Sequence, residues 1–120
     1  MYNIIFYEDK NGKSDVNEYI EKIQKNNVKD DRIKSKKISM FFDLLSKHGF
    51  MLSEPYIKKI TNDIWEIRPL RDRFLFSYIN ENTFIVLSHF IKKTRKAPKK
   101  EIERANRLLN DYKKRRSNNG

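Results

Sequence analysis

The 120-residue chain has no cysteine, which excludes disulfide frameworks, thiolate zinc sites and thiol nucleophiles together. It has only two histidines, His48 and His89, too few and too far apart in sequence for a three-ligand catalytic metal centre. No metal or other cofactor is expected. No apolar run reaches the ~18 residues of a membrane span, and the N-terminus lacks the basic-then-apolar order of a signal peptide. The expectation is a cytoplasmic protein without a membrane partner. Acidic residues are also scarce, sixteen against twenty-seven basic ones, for a net charge of +11. The 38% of hydrophobic residues suffices for one compact core, so residues 1–120 are read as a single domain, frayed over 117–120.

The excess charge is concentrated. Residues 92–120 carry twelve basic and three acidic side chains, a net +9, against +2 for residues 1–91. A clustered positive field attracts polyanions, whereas scattered charge mainly confers solubility. Nucleic acid is therefore the leading partner class, with a merely solvated basic face as the alternative.

Hydrophobic periodicity predicts the order β-α-α-β-β-β-α. Asn3–Tyr7 is a short apolar strand ended by the Asp9–Gly12 turn. Ser14 suits a helix N-cap, and Val16, Ile20 and Ile23 mark one face of a helix over Asp15–Lys25. Asp30 or Asp31 is the expected cap of a second helix, with Ile33, Ile38, Phe41, Phe42, Leu44 and Leu45 on its apolar face and Gly49 at its stop. From there the period changes to two. Strands are expected over Asp63–Arg68, Arg73–Ile79 and Thr83–Ile91, the last two joined at Asn80–Asn82. Pro98 opens a basic helix with Ile102, Ala105, Leu109 and Tyr112 on one stripe. The class read from this pattern is α+β, an antiparallel twisted sheet with an N-terminal helical hairpin and a basic C-terminal helix.

Alternation puts Glu66 and Arg68 on one side of a strand, and Trp65 and Ile67 on the other. Arg73 opens the next strand, and Lys92 and Lys93 follow the one after it. An antiparallel sheet would gather these side chains on one surface, where guanidinium forks could hold a phosphate. Cleavage of RNA needs a base for the 2′-OH, charge stabilisation of the phosphorane, and an acid for the leaving 5′-oxygen. Arg68 and Arg73 suit stabilisation, Lys92 or Lys93 proton exchange, and Glu66 or Glu54 the base. The plainer alternative is that Glu66 pairs with a neighbouring cation across strands. Lys58, Lys59, Arg71, Arg95, Lys96 and Lys99 are candidates for further contacts to nucleic acid. By alternation His89 shares a face with Ile85, Leu87 and Ile91, as a core or edge residue. His48 suits a helix C-terminus, Tyr112 reads as packing, and Trp65 is expected to be buried rather than stacked on a base.

The stretches Ile64-Trp65-Glu66-Ile67-Arg68-Pro69, Arg73–Tyr78 and Leu87–Pro98, with Glu101–Ala105 after them, resemble the RelE/ParE superfamily of toxins, closest to its HigB-type, phage-derived branch. The resemblance covers nearly the whole chain. It implies a microbial-RNase-like fold and a type II toxin–antitoxin toxin that cuts mRNA in the ribosomal A site. It also implies that Arg68, Arg73, Lys92 and Lys93 hold the scissile phosphate, without a metal. The implied partners are a HigA-like helix-turn-helix antitoxin, in a heterotetramer, and mRNA on the 70S ribosome. The chain departs from several relatives in lacking a histidine or tyrosine at the C-terminal catalytic position, since His89 lies early and Tyr112 too far into the helix. Rival functions are a ParE-like gyrase inhibitor and a non-catalytic nucleic-acid-binding module held by counterion release.

Overall fold

A computed structural model describes residues 1–119. The elements are β1 (Asn3–Phe6), α1 (Asp15–Lys25), α2 (Lys29–His48), a short 3-10 turn (Gly49–Met51), β2 (Ile57–Lys59), β3 (Trp65–Ile67), β4 (Asp72–Asn80), β5 (Thr83–Ile91) and α3 (Lys99–Asn119). Of the tail expected to fray, the backbone to Asn119 is helical, and Gly120 lies outside the described residues.

The five strands form one sheet in the order β1-β5-β4-β3-β2. It is mixed rather than wholly antiparallel, because β1 runs parallel to β5. The short links among the late strands dictate antiparallel pairing there. β1 is separated from them by both hairpin helices, a crossover long enough to permit a parallel partner. β2, in a stretch between Gly49 and Asp63 where no strand is expected, adds the fifth strand.

Both faces of the central strands are covered. On one, Val16 and Ile23 of α1 and Ile38, Phe41 and Leu45 of α2 pack on Ile67, Phe74, Phe76, Phe84 and Val86. On the other, Ala105 and Leu109 of α3 pack on Ile64, Leu75, Ile85, Leu87 and Phe90. The alternation of β4 thus serves two cores, which is why its first six residues are all buried. Leu45 is fully buried, and its truncation to alanine should cost about 2–5 kcal/mol.

The punctuation follows local chemistry. The Ser14 hydroxyl accepts from the Asn17 N–H as predicted. α2 starts earlier than predicted, with Val28 as its cap residue, and Asp30 and Asp31 lie in its first turn, where their charge favours the helix N-terminus. Gly49 ends α2 at φ 54°, and a Cβ there would lie 2.4 Å from the Tyr2 ring, so both backbone and space require glycine. Glu81 and Asn82 turn the β4–β5 hairpin with φ of 49° and 58°, the double left-handed geometry of a tight hairpin.

Candidate active site

Register assembles the site. Glu66 on β3 faces Lys58 on β2 and Leu75 on β4. Two residues before Leu75, Arg73 points to the same side, the face away from the helical hairpin. The loop after β5 then folds back across the end of the sheet. It is held by the Lys92 N–H donating to the Arg71 carbonyl at 2.8 Å and the Arg71 guanidinium donating to the Lys92 carbonyl at 3.1 Å. The Thr94 hydroxyl, donating to the Lys96 carbonyl at 2.9 Å, tightens its tip.

The result is a cleft lined by Lys58, Glu66, Arg68, Arg73, Lys92, Lys93, Arg95 and Lys96, with Ile60, Phe90, Thr94, Ala97 and Pro98 between them. Seven cations thus surround one carboxylate. All five residues singled out for chemistry, Arg68, Arg73, Lys92, Lys93 and Glu66, line it, as do Lys58, Arg95 and Lys96. Three others do not. Lys59 stands over the Trp65 ring, 5.7 Å from its centroid, on the opposite side of β2. Arg71 staples the loop from outside, and Lys99 lies beyond the cleft at the start of α3. Glu54, the other carboxylate considered, is exposed and reaches Arg68 at 3.6 Å.

Glu66 is the buried floor. Its Oε1 lies 3.2 Å from Arg68 Nε and 3.6 Å from Arg73 Nε. Burial pushes the Glu66 carboxyl up from its ordinary value, while Arg73, Arg68, Lys58 and Lys92 pull it back. Burial likewise lowers the Arg73 guanidinium, against the attraction of Glu66. Arg73 is fixed by Nη1, which donates to the Leu70 carbonyl at 2.8 Å and the Asp72 carbonyl at 2.9 Å. Arg68 Nε is buried without a hydrogen bond, because its contact with Glu66 is close but poorly aligned. The cleft therefore holds a buried donor that is paired in charge but poorly satisfied in geometry, together with surplus positive charge. Such a donor has a price unless an acceptor reaches it.

His89 is not in the cleft. A β-bulge shifts the β4–β5 register between Leu75↔Ser88 and Phe76↔Val86, so the alternation changes phase at Leu87. His89 consequently lies opposite Phe74, on the other face from Ile85 and Leu87, which corrects the face read from the sequence. Its Nε2 lies 2.6 Å from Asp72 Oδ1, the Tyr19 hydroxyl donates to the same oxygen at 2.6 Å, and Lys34 donates to the Tyr19 hydroxyl at 3.0 Å. The Tyr19 and His89 rings stack at 3.8 Å. Burial would raise Asp72, but the His89 and Tyr19 hydrogen bonds and the Lys34 charge outweigh it and hold this carboxyl below its ordinary value. Burial and the bond to Asp72 push the Tyr19 hydroxyl up to about 12. These four residues come from four elements, and no sequence spacing connects them. Phe90 in the cleft, by contrast, was within reach of the pattern, since it pairs with Arg73 across the hairpin.

Comparison with known proteins agrees with this architecture. Residues 28–110 match the model of the phage-derived Gp49-like proteins. A chain of the YoeB–YefM complex from Staphylococcus aureus has the same fold, with a TM-score of 0.55 and 16% identity over 78% of this chain and 99% of that one. No curated protein matches the sequence. The family match spans well over half of the chain and includes the whole cleft, so the protein belongs to the phage-derived Gp49-like family and, with it, to the RelE/ParE superfamily that its motifs resemble.

Proposed function

We propose that this Gp49-like protein is the toxin of a type II toxin–antitoxin system and acts as a ribosome-dependent mRNA endonuclease in the cytoplasm. The observation that carries the reading is the convergence of seven cations on one buried carboxylate. That is the charge complement of a phosphodiester passing to a dianionic phosphorane.

In the proposed reaction the 2′-oxygen attacks the adjacent phosphorus and the bond to the 5′-oxygen breaks, leaving a cyclic phosphate and a 5′-hydroxyl. Arg68 and Arg73 stabilise the equatorial oxygens, Arg73 from a position fixed by two carbonyls. Glu66, whose carboxyl is pushed up by burial, takes the 2′-OH proton, and Lys92 or Lys93 protonates the leaving oxygen. Cationic side chains supply the charge stabilisation, so the mechanism calls for no metal. Among the described residues the cleft has no histidine, the side chain that ordinarily titrates near neutrality. Catalysis then depends on positioning more than on proton transfer, which supports a requirement for the ribosome to present the mRNA. The proposed inhibitor is a HigA-like helix-turn-helix antitoxin, assembled with the toxin as a heterotetramer.

Primer extension on a defined mRNA, with programmed 70S ribosomes and with free RNA, tests the reading. A-site cuts by the wild type that disappear in Arg68→Ala/Arg73→Ala are expected. Folded wild type that cuts in neither setting would overturn it, and inhibition of gyrase supercoiling by the same preparation would assign the ParE-like activity instead.

A further inference from the structure

Beside the cleft, across the loop that carries Lys93, lies a second surface of different character. Its floor is Ile33 of α2, Leu70 of the β3–β4 turn and Ile91 at the end of β5, and its rim is Lys34, Arg71 and Lys93. The three apolar side chains are 47%, 48% and 42% exposed. Leu70 also has a φ of 57°, a left-handed conformation that disfavours a Cβ-bearing residue and that Gly or Asn would occupy without strain. A large apolar side chain at an exposed, strained turn serves neither core nor turn. The same residue's carbonyl holds Arg73, and Lys93 lines both this groove and the cleft.

We propose that this groove docks an acidic, apolar segment of a protein partner, with Leu or Ile side chains seated on Ile33, Leu70 and Ile91 and carboxylates paired to Arg71 and Lys93. Charge complementarity decides the chemistry: with Lys34 already paired to Asp72, the rim offers Arg71 and Lys93 against Asp30, on a chain of net charge +11. RNA would find the same cations but gain little from an aliphatic floor, since bases stack on aromatic or guanidinium planes. The inference rests on the toxin reading only for the partner's identity, the antitoxin. A segment seated here takes Lys93 from the cleft and presses on the turn that positions Arg73, so docking and inhibition are one event.

A random-peptide display library panned on the full chain, with counter-selection on Leu70→Asn/Ile33→Gln, provides the test. Asn is suited to the left-handed turn and both side chains are exposed, and a thermal melt of the double variant checks its folding. Expected are peptides that converge on Leu or Ile flanked by Asp or Glu, bind the double variant at least about tenfold more weakly, and lose affinity severalfold on Lys93→Ala. Absence of convergence, convergence on basic or uncharged sequences, or equal affinity for the double variant would overturn the proposal. A labelled RNA oligonucleotide that loses tenfold affinity on the double variant would also overturn it, assigning the face to nucleic acid. None of these readouts needs RNA cleavage, so failure of the nuclease reading would leave them interpretable.

Discussion

Asp72 and Arg73 are neighbours on β4 whose side chains point to opposite faces of the sheet, and each anchors a charged cluster. Around Asp72, one fully buried carboxylate is met by His89, Tyr19 and Lys34, a closed arrangement in which donors and charge nearly balance. Around Glu66 and Arg73, one buried carboxylate is outnumbered by the cations of the cleft. The first cluster balances its charge within the chain, although Asp72 Oδ2, 3.6 Å from Lys34 Nζ, accepts no hydrogen bond. The second leaves its surplus charge open to an anion from outside. Two charged clusters a residue apart therefore differ in kind, one closing its charge within the chain and the other presenting surplus cations, most of them exposed, at the surface.

That distinction can be broken by experiment. Of the two clusters, the larger effect on stability should come from Asp72→Ala, which leaves His89 and Tyr19 without their acceptor and Lys34 without its counter-charge and costs about 3 kcal/mol by urea denaturation. Because the Asp72 carboxyl is held below its ordinary value, its contribution is complete above the unfolded value of about 3.9 and fades as pH falls through the lower folded one. The gap between wild type and variant should accordingly narrow only in strong acid. A gap that stays unchanged into strong acid would show that the charge of the Asp72 carboxylate does not carry the effect.

Next comes Arg73→Ala, expected to lower ribosome-dependent cleavage about 10²–10³-fold, the usual loss for one stabilising donor, with Arg73→Lys recovering only part because the fork is lost. Single-turnover cleavage per folded molecule reads this, and cleavage within a few fold of wild type would remove Arg73 from the mechanism. Glu66→Gln should act in two directions, cutting cleavage while tightening RNA binding a few fold, as one negative charge leaves the cleft. The Glu66 carboxyl is raised by burial, so its protonated form favours the fold below the unfolded value of about 4.3, and this stabilisation is lost as pH rises through the folded value. The variant should lack that slope. The smallest effect belongs to Lys59→Ala. Since Lys59 sits over Trp65 on the far side of β2, cleavage should be unchanged and the salt dependence of RNA binding should fall by no more than about one charge.

The elements with a clean period were legible in the sequence: α1 with its Ser14 cap, the β4–β5 hairpin and the apolar stripe of α3. So were most of the cleft residues, because Glu66, Arg68 and Arg73 need only period-two alternation and an antiparallel neighbour to meet. What escaped depended on events with no local signature. A single extra residue in β5 moved His89 to the other face, β1 found a parallel partner across two helices, and Asp72 collected partners from α1, α2 and β5. Lys59 and Arg71, picked for their charge, were turned elsewhere by an aromatic ring and a backbone carbonyl.

By itself, then, the sequence determined which residues carry charge, which strands alternate and that the positive field is concentrated after residue 91, because composition and short-range periodicity are written into the chain. Only the tertiary structure decided which charges are already paired and which stand open. Pairing depends on register, bulges and the packing of distant elements, and these bring Asp72 its donors while leaving the cations of the cleft in excess.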